Sequence, residues 1–317
     1  MTSPHASRPT PITVLGTGAW GTSLARLATA NPGNVVRSWS RSSPETLEAV
    51  VADAEVLIIA IAMQGIVKLS KRLQTIGLKE QTIIVTATKG LDPETHLSPS
   101  RLWQAAFPRH AVAVLSGPNL SKEIDRGLPA ATVVASTNEA AAQRVQTLIS
   151  SDRFRVYTNT DPLGTELGGT LKNVMAIAVG ACDGLNLGTN AKSALMTRAL
   201  PEMVRVGVKL GADPETFLGL AGLGDMLATC SSRLSRNYRV GYGLAQGQPM
   251  AEILQALDGT AEGVNTTEVL LAIAKEHQIS VPITKAVHAL IHGRMDAKAA
   301  VEVLMDRELK PETLGLL

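Results

Sequence analysis

Aromatic side chains are scarce in this chain: three Phe, three Trp and three Tyr among 317 residues. Whatever cores it builds must be filled by aliphatic groups. Cysteine is scarcer still. Cys182 and Cys230 form no CxxC pair and outline no disulfide framework, so a reducing compartment is the plain expectation. An excess of one charge is also missing, because 30 Lys and Arg against 28 Asp and Glu leave a formal +2. That supplies no general basic field and argues against nucleic acid as the main partner. Apolar runs are short. A stretch such as Val56–Met63 falls well below the roughly 20 residues a membrane-spanning helix needs. The N-terminal MTSPHASRPTP has no apolar segment of the kind a signal peptide needs. These absences predict a soluble, cytoplasmic chain without membrane insertion, with residues 1–10 as a loose tail.

What is present is enough apolar material for two cores of ordinary size, at 45% hydrophobic residues. In the first half, short apolar runs alternate with helical stretches. Ile12–Leu15 is followed at once by Gly16-Thr17-Gly18-Ala19-Trp20-Gly21, and Thr22–Ala30 then reads as a helix stopped by Asn31-Pro32-Gly33. Strand, glycine turn and helix start are the setting in which GxGxxG binds a dinucleotide. The backbone can approach a pyrophosphate there, and the helix start offers free N–H groups and a positive dipole end. Gly16, Gly18 and Gly21 are therefore candidate cofactor residues.

Further strands are expected at Val35–Trp39, Val56–Ala62, Thr82–Thr88, Ala111–Leu115, Ala131–Ser136 and Phe154–Thr158, with a helix at Glu139–Ser150. This alternation predicts an α/β fold with a mostly parallel, Rossmann-like sheet. At the end of the second strand, Ser38-Trp39-Ser40-Arg41-Ser42 lacks the carboxylate that selects NAD. Arg41 can pair with a 2′-phosphate, which favours NADP; the alternative is a solvated loop arginine. Ligands of such sheets bind beyond the carboxyl ends of the strands, where Thr88-Lys89-Gly90 and Ser116-Gly117-Pro118-Asn119 fall. Lys89 is placed there either to meet an anion or as an ordinary loop lysine.

From Asp161 the strand pattern stops. A dinucleotide-binding domain over 1–160 and an all-helical domain over 161–317 are expected. Asp161–Asp183 reads as one long helix, with Asp161 able to cap it and Pro162 at its first position. Leu167, Leu171, Val174, Met175 and Ala178 would give it one apolar stripe. Lys172 is the only charged residue between Leu167 and Cys182. Such an ammonium either snorkels to water or is held in a site, where desolvation lowers its pKa and allows proton exchange near neutral pH.

Later helices are expected at Ala191–Leu210 (broken at Pro201), Pro214–Leu220, Met226–Cys230, Met250–Leu257, Thr267–His277, Thr284–His292 and Ala297–Met305. Gly222–Gly224 should form a tight turn, with Asp225 opening a short helix as a cap or as a functional carboxylate. Arg233, Arg236 and Arg239 recur every third residue, which on a helix makes one basic face. That face is either solvated or, with Ser235-Arg236-Asn237, a small anion site. His288 and His292 have metal-pair spacing, but no carboxylate or cysteine cluster accompanies them in sequence, so no metal site is expected. Gly-X-Ser-X-Gly is absent, and nothing recommends a hydrolase nucleophile.

Taken together, GTGAWGTSLA at 16–25, ATKG at 87–90, SGPN at 116–119, ELGGTLKNVMAIAVG at 166–180, GLAGLGDMLATC at 219–230, SRN at 235–237 and EGVNT at 262–266 resemble the bacterial NAD(P)-dependent sn-glycerol-3-phosphate dehydrogenases. The segments follow the family's order and cover most of residues 12–270. The resemblance implies reduction of dihydroxyacetone phosphate to sn-glycerol 3-phosphate, the precursor of glycerophospholipids, by NAD(P)H; Arg41 is what favours NADPH, with NADH possible. It places Lys172 on the catalytic acid/base, also in contact with substrate, and Lys89 on a position touching both cofactor and substrate. Gly117, Asp225, Ser235, Arg236 and Asn237 fall on substrate positions, with Arg236 also near the cofactor. Trp20, Arg41 and Glu262 fall on cofactor positions. The chain departs from the family at Asn119, usually serine, and at Ser121, usually alanine, carried here as substrate and cofactor positions. The segment Ser42–Glu55 is shorter than the family's and lacks its Asn-x-x-Tyr-Leu-Pro-Gly stretch. A homodimer is compatible with this reading.

Two rivals have the same outline. A β-hydroxyacid or ketopantoate-type reductase would take carboxylate substrates. A silent NADP-binding sensor would need the glycine turn but not Lys172, Asp225 and Arg236 together.

Overall fold

In the computed structural model, residues 9–257, 259–306 and 308 are described. Most of the tail expected over 1–10 lies outside them. Thr10, however, already opens the first strand, with its N–H donated to the Gly33 carbonyl at 2.8 Å. The chain divides into two compact units, one of residues up to 88 with 99–162, the other of 89–98 with 163 onward. A single cut at 160 would misplace residues 89–98. Gly90 donates its N–H to Thr170 Oγ1 at 3.1 Å, and Leu91 packs in one core with Leu167 and Leu171.

The first unit holds seven strands: β1 Thr10–Leu15, β2 Asn34–Trp39, β3 Val56–Ile59, β4 Ile83–Thr86, β5 Val112–Ser116, β6 Ala130–Ala135 and β7 Phe154–Asn159. They form one sheet in the order β2-β1-β3-β4-β5-β6-β7. Every pairing is parallel except β5 with β6. Strands buried on both faces must be apolar throughout, as β3 (VLII) is. Alternate residues serve opposite faces: Ile58 and Val85 join Ile12, Val14 and Leu24, whereas Leu57, Ile59 and Ile84 join Trp103 and Phe107. The connecting helices are α1 Ala19–Thr29, α2 Leu47–Val51, α3 Ile66–Ile76, α4 Pro99–Ala106, α5 Ser121–Ile124 and α6 Glu139–Ile149. The shortened β2–β3 crossover still carries a helix, because Thr46 caps the five-residue α2 by accepting from the Ala49 N–H at 3.2 Å.

The second unit is helical: α7 Pro162–Gly184, α8 Gly188–Lys209, α9 Asp225–Cys230, α10 Arg236–Ala245, α11 Met250–Gln255, α12 Glu262–Glu276, α13 Pro282–Ile291 and α14 Ala297–Met305. Instead of showing one apolar stripe, α7 is buried at every position from Gly164 to Ile177. A helix that is apolar or small all round belongs in a core, and Gly168, Gly169 and Ala176 leave room for neighbours to close in. The expected break at Pro201 does not occur, and α8 runs through it. Proline costs the helix one N–H, and Ala199, Met203 and Val204, wholly buried around it, hold both halves in line. Among the described residues, no helix is long and apolar enough to cross a membrane.

Candidate active site

In the first unit, the turn between β1 and α1 is shaped by its glycines. Gly16 has φ +111°, and a Cβ there would lie 2.3 Å from the Ala60 carbonyl oxygen. Gly18 differs, since a Cβ on it would meet no protein atom within 4 Å. It is the N-cap of α1, no side chain caps that end, and the first turn carries no acidic residue. The first N–H groups of α1 thus have no side-chain acceptor in their cap, and packing does not explain the missing side chain at Gly18. Both features fit a pyrophosphate laid on the helix start. Trp20 is half-buried on the core at the same turn. Beyond β2, exposed Arg41 stands among hydroxyls: Ser40 Oγ lies 3.1 Å from Ser42 Oγ and 3.4 Å from Ser43 Oγ. This cationic, donor-rich corner suits a 2′-phosphate.

In the second unit, the chemistry gathers around one carboxylate. Lys172, in the middle of α7, is 6% exposed, and Asp225, at the start of α9, is 2% exposed. Lys172 Nζ donates to Asp225 Oδ1 at 2.9 Å and to Thr229 Oγ1; Thr229 Oγ1 itself lies 3.2 Å from Asp225 Oδ1. Lys89 Nζ donates to the other carboxylate oxygen, Oδ2. Two ammonium groups therefore share one buried carboxylate, and the cluster carries a net positive charge.

The local sequence explains how they meet. The expected tight turn at Gly222–Gly224 is a π-helical turn, Leu220–Gly224, that runs straight into α9. It can lie on α7 because Gly168 has no side chain; a Cβ there would come within 2.8 Å of the Ala221 carbonyl oxygen. Gly168 is one helical turn before Lys172, so the contact that seats the turn also delivers Asp225 to the ammonium. Asp225 does not cap α9, a place taken by Gly224.

Burial is the main influence on Lys172 and lowers its pKa to about 8, against the pull of Asp225 in the other direction. For Asp225, burial favours the neutral form. The ammoniums of Lys172 and Lys89 outweigh it and hold the carboxyl below its usual range.

The same unit holds the Ser235–Asn237 segment. Ser235 caps α10, its Oγ accepting from the Tyr238 N–H at 3.2 Å. Asn237 is buried and accepts from the Gly263 N–H at 2.9 Å, which ties α10 to the first turn of α12 beside Glu262. Arg236 is exposed at the first position of α10, and its guanidinium lies against Gly259, where a Cβ would fall 2.3 Å from Nη1.

The comparisons agree across the chain. The family model "NAD-dependent glycerol-3-phosphate dehydrogenase C-terminus" matches residues 161–302, and the corresponding N-terminal model matches residues 43–142. The chain belongs to the NAD-dependent glycerol-3-phosphate dehydrogenase family. It is 62% identical over 314 residues to a glycerol-3-phosphate dehydrogenase [NAD(P)+] of Synechocystis sp., covering 98% of each chain. A similarly named protein of Acaryochloris marina is 62% identical over 308 residues, 97% of this chain and 99% of the relative. Among solved structures, a glycerol-3-phosphate dehydrogenase from Coxiella burnetii superposes with a TM-score of 0.88 at 35% identity, covering 94% of this chain and 99% of that one.

Within this dehydrogenase family, sequence reasoning and geometry part at a few residues. Lys89, Lys172 and Asp225 come together. Gly117 and Asn119 belong to the first unit, where Asn119 Nδ2 donates to Thr132 Oγ1 at 2.9 Å and a Cβ on Gly117 would press on Thr132. Ser121 opens α5 and is half-buried. The shared arginine face does not form. Arg233 precedes α10 and stacks over Tyr242 at 5.9 Å, while Arg239 donates to the Ala256 carbonyl at 3.2 Å. Thr229 was missed, although it lies one helical turn after Asp225 in the GDMLATC segment. His288 and His292 do have a carboxylate companion, Glu268, which lies 20 and 24 residues upstream of them.

Proposed function

We propose that this chain catalyses the reversible, NAD(P)H-dependent reduction of dihydroxyacetone phosphate to sn-glycerol 3-phosphate, with NADPH preferred, and so supplies glycerophospholipid synthesis. The observation that carries the reading is the buried Lys172–Asp225–Lys89 cluster. Gly16, Gly18, Trp20, Gly21 and Arg41 would hold the cofactor, with Lys89, Ser121, Arg236 and Glu262 as further contacts. Bound, the nicotinamide supplies the hydride that C2 of the ketone gains. Lys172 supplies the proton. Two of its three N–H donors face Asp225 and Thr229, so the third remains for the ketone oxygen. As the carbonyl turns into an alkoxide, negative charge grows beside two ammoniums in a site shielded from water, where such charge is most strongly stabilised. In the oxidative direction the neutral amine of Lys172 takes the proton back.

Arg236 is read as the phosphate anchor. Its planar fork matches phosphate oxygens, and it stands at the first position of α10, where the helix N–H groups also favour an anion. With Asn237 and the first N–H groups of α10, it fixes the phosphoester, and binding energy remote from C2 orients the reacting carbon. Gly117 and Asn119 complete the list of substrate positions, and Ser235 acts by setting the start of α10. We place the reaction in the cytoplasm, in keeping with two buried, unpaired cysteines.

The deciding experiment follows absorbance at 340 nm with each reduced cofactor against dihydroxyacetone phosphate and a panel of keto acids. Turnover is expected only with the phosphorylated ketone, and faster with NADPH. Preference for a keto acid would overturn the substrate assignment, and absence of any turnover would return the chain to a cofactor-binding role.

A further inference from the structure

A second cluster of ionisable groups lies in the helical unit, outside the machinery above. His288 sits near the end of α13, His292 caps that helix, and Glu268 lies in the middle of α12. Each imidazole turns its Nε2 to a different oxygen of the same carboxylate, at 3.1 Å for His288 to Oε2 and 2.5 Å for His292 to Oε1. The rings stand 4.5 Å apart at 56°, and the three potential ligand atoms all lie within 4.8 Å of one another. A tetrahedral zinc-type ion, with bonds of about 2.0–2.2 Å, keeps its ligand atoms roughly 3.3–3.5 Å apart. The two nitrogen–oxygen distances, 3.1 and 2.5 Å, are shorter than that, and no pair is more than 4.8 Å apart, so an ion could enter with side-chain movements of about an ångström.

One histidine would be enough to bridge α12 and α13 through Glu268. A second imidazole converging on the same exposed carboxylate adds little as an ion pair, since such pairs contribute about 0–1 kcal/mol. It does complete a set of two imidazoles and one carboxylate. Those donors favour zinc, nickel, cobalt or copper over magnesium or calcium, and side-chain exposures of 16%, 41% and 49% leave room for water at the open position.

We infer that Glu268, His288 and His292 form a binding site for one divalent metal ion of the zinc class, which fastens α12 to α13. The inference stands apart from the reaction proposed for Lys172.

The test uses the untagged full chain, stripped with EDTA, and titrates it with Co²⁺ for the visible absorption of a bound ion and with Zn²⁺ by calorimetry. One ion per chain with micromolar or tighter affinity is expected, together with a rise of about 3 °C or more in Tm at saturating Zn²⁺. H288A and H292A should each weaken binding at least ~10-fold and the double variant should abolish it, with helix content and basal reductase activity unchanged. E268Q keeps a hydrogen-bond acceptor but removes the charge, and it too should weaken binding ~10-fold. No binding at 100 µM Zn²⁺ (on the order of the concentration where weak surface sites fill), or undiminished binding in the folded double variant, would overturn the site.

Discussion

Asp225 is asked to balance two ammonium groups inside a core, and a buried charge that loses its partner is strongly penalised, by about 3–5 kcal/mol. The lysine it holds sets the expected pH behaviour. With its pKa near 8, Lys172 keeps the proton needed for ketone reduction below that pH and loses it above. The kcat/KM for reduction should therefore fall as pH rises through about 8, while that of the oxidative direction, which needs the neutral amine, rises over the same range. Asp225→Asn removes the attraction that keeps Lys172 charged, so the break should move to lower pH; a flat profile from pH 7 to 9, roughly one unit either side of that value, would contradict the assignment. Stability has its own sign. Between about 8 and 10.5 the unfolded chain binds a proton on this lysine that the folded chain does not, so folding is favoured as pH rises across that window.

Lys172→Ala should lower kcat by about 10²–10⁴-fold, the usual worth of a placed general acid, with NADPH affinity within about twofold of wild type. A kcat within tenfold would exclude the role. Arg236→Ala belongs to a different class: losing a charged hydrogen-bond donor to phosphate should raise KM for dihydroxyacetone phosphate by about 10–100-fold, corresponding to roughly 1.5–3 kcal/mol. An unchanged KM would remove Arg236 from the phosphate site.

At the scale of elements, the catalytic pair depends on a close backbone approach. Gly168→Val would drive branched carbons into the Ala221 carbonyl, whose oxygen lies 2.8 Å from where even a Cβ would sit. Overpacking of this kind costs about 1–3 kcal/mol, and the π-helical turn rather than the long α7 is the part able to yield. Tm should fall by several degrees and kcat should fall with it, because Asp225 moves with the turn; full activity at a lowered Tm would show that the turn does not place Asp225.

The same elements show what a reader of the sequence can and cannot see. The seven strands are legible as short runs rich in β-branched residues, apolar throughout where both faces are buried, as in β3, and GxGxxG between β1 and α1 states its own geometry. Pro201 misleads, since packing around α8 overrides a local breaker. Arg233, Arg236 and Arg239 mislead for the opposite reason: their spacing implies a helix that begins only at Arg236, once Ser235 has capped it. The π-helical turn, Thr229 beside Lys172, and Glu268 opposite His288 and His292 are products of tertiary approach, which no spacing along the chain encodes.

For the molecule as a whole, scarcity of aromatics provides a probe. All three tryptophans, Trp20, Trp39 and Trp103, lie in the first unit, while α7 to α14 lie in the second. Tryptophan emission therefore reports the sheet unit, and helical circular dichroism is weighted towards the other. Each unit has aliphatic cores of its own, one built around β1, β3 and β4, the other around α7. Two cores that can melt separately break two-state behaviour, so denaturant curves from the two probes should not coincide. NADPH should act first on the unit that carries the glycine turn. At 100 times its Kd, a ligand bound only by folded protein adds about 2.7 kcal/mol, so the fluorescence midpoint should move to higher denaturant by more than the dichroism midpoint. Superimposed curves that shift together would mean that the chain unfolds as one cooperative block, with the cofactor's binding energy shared across it.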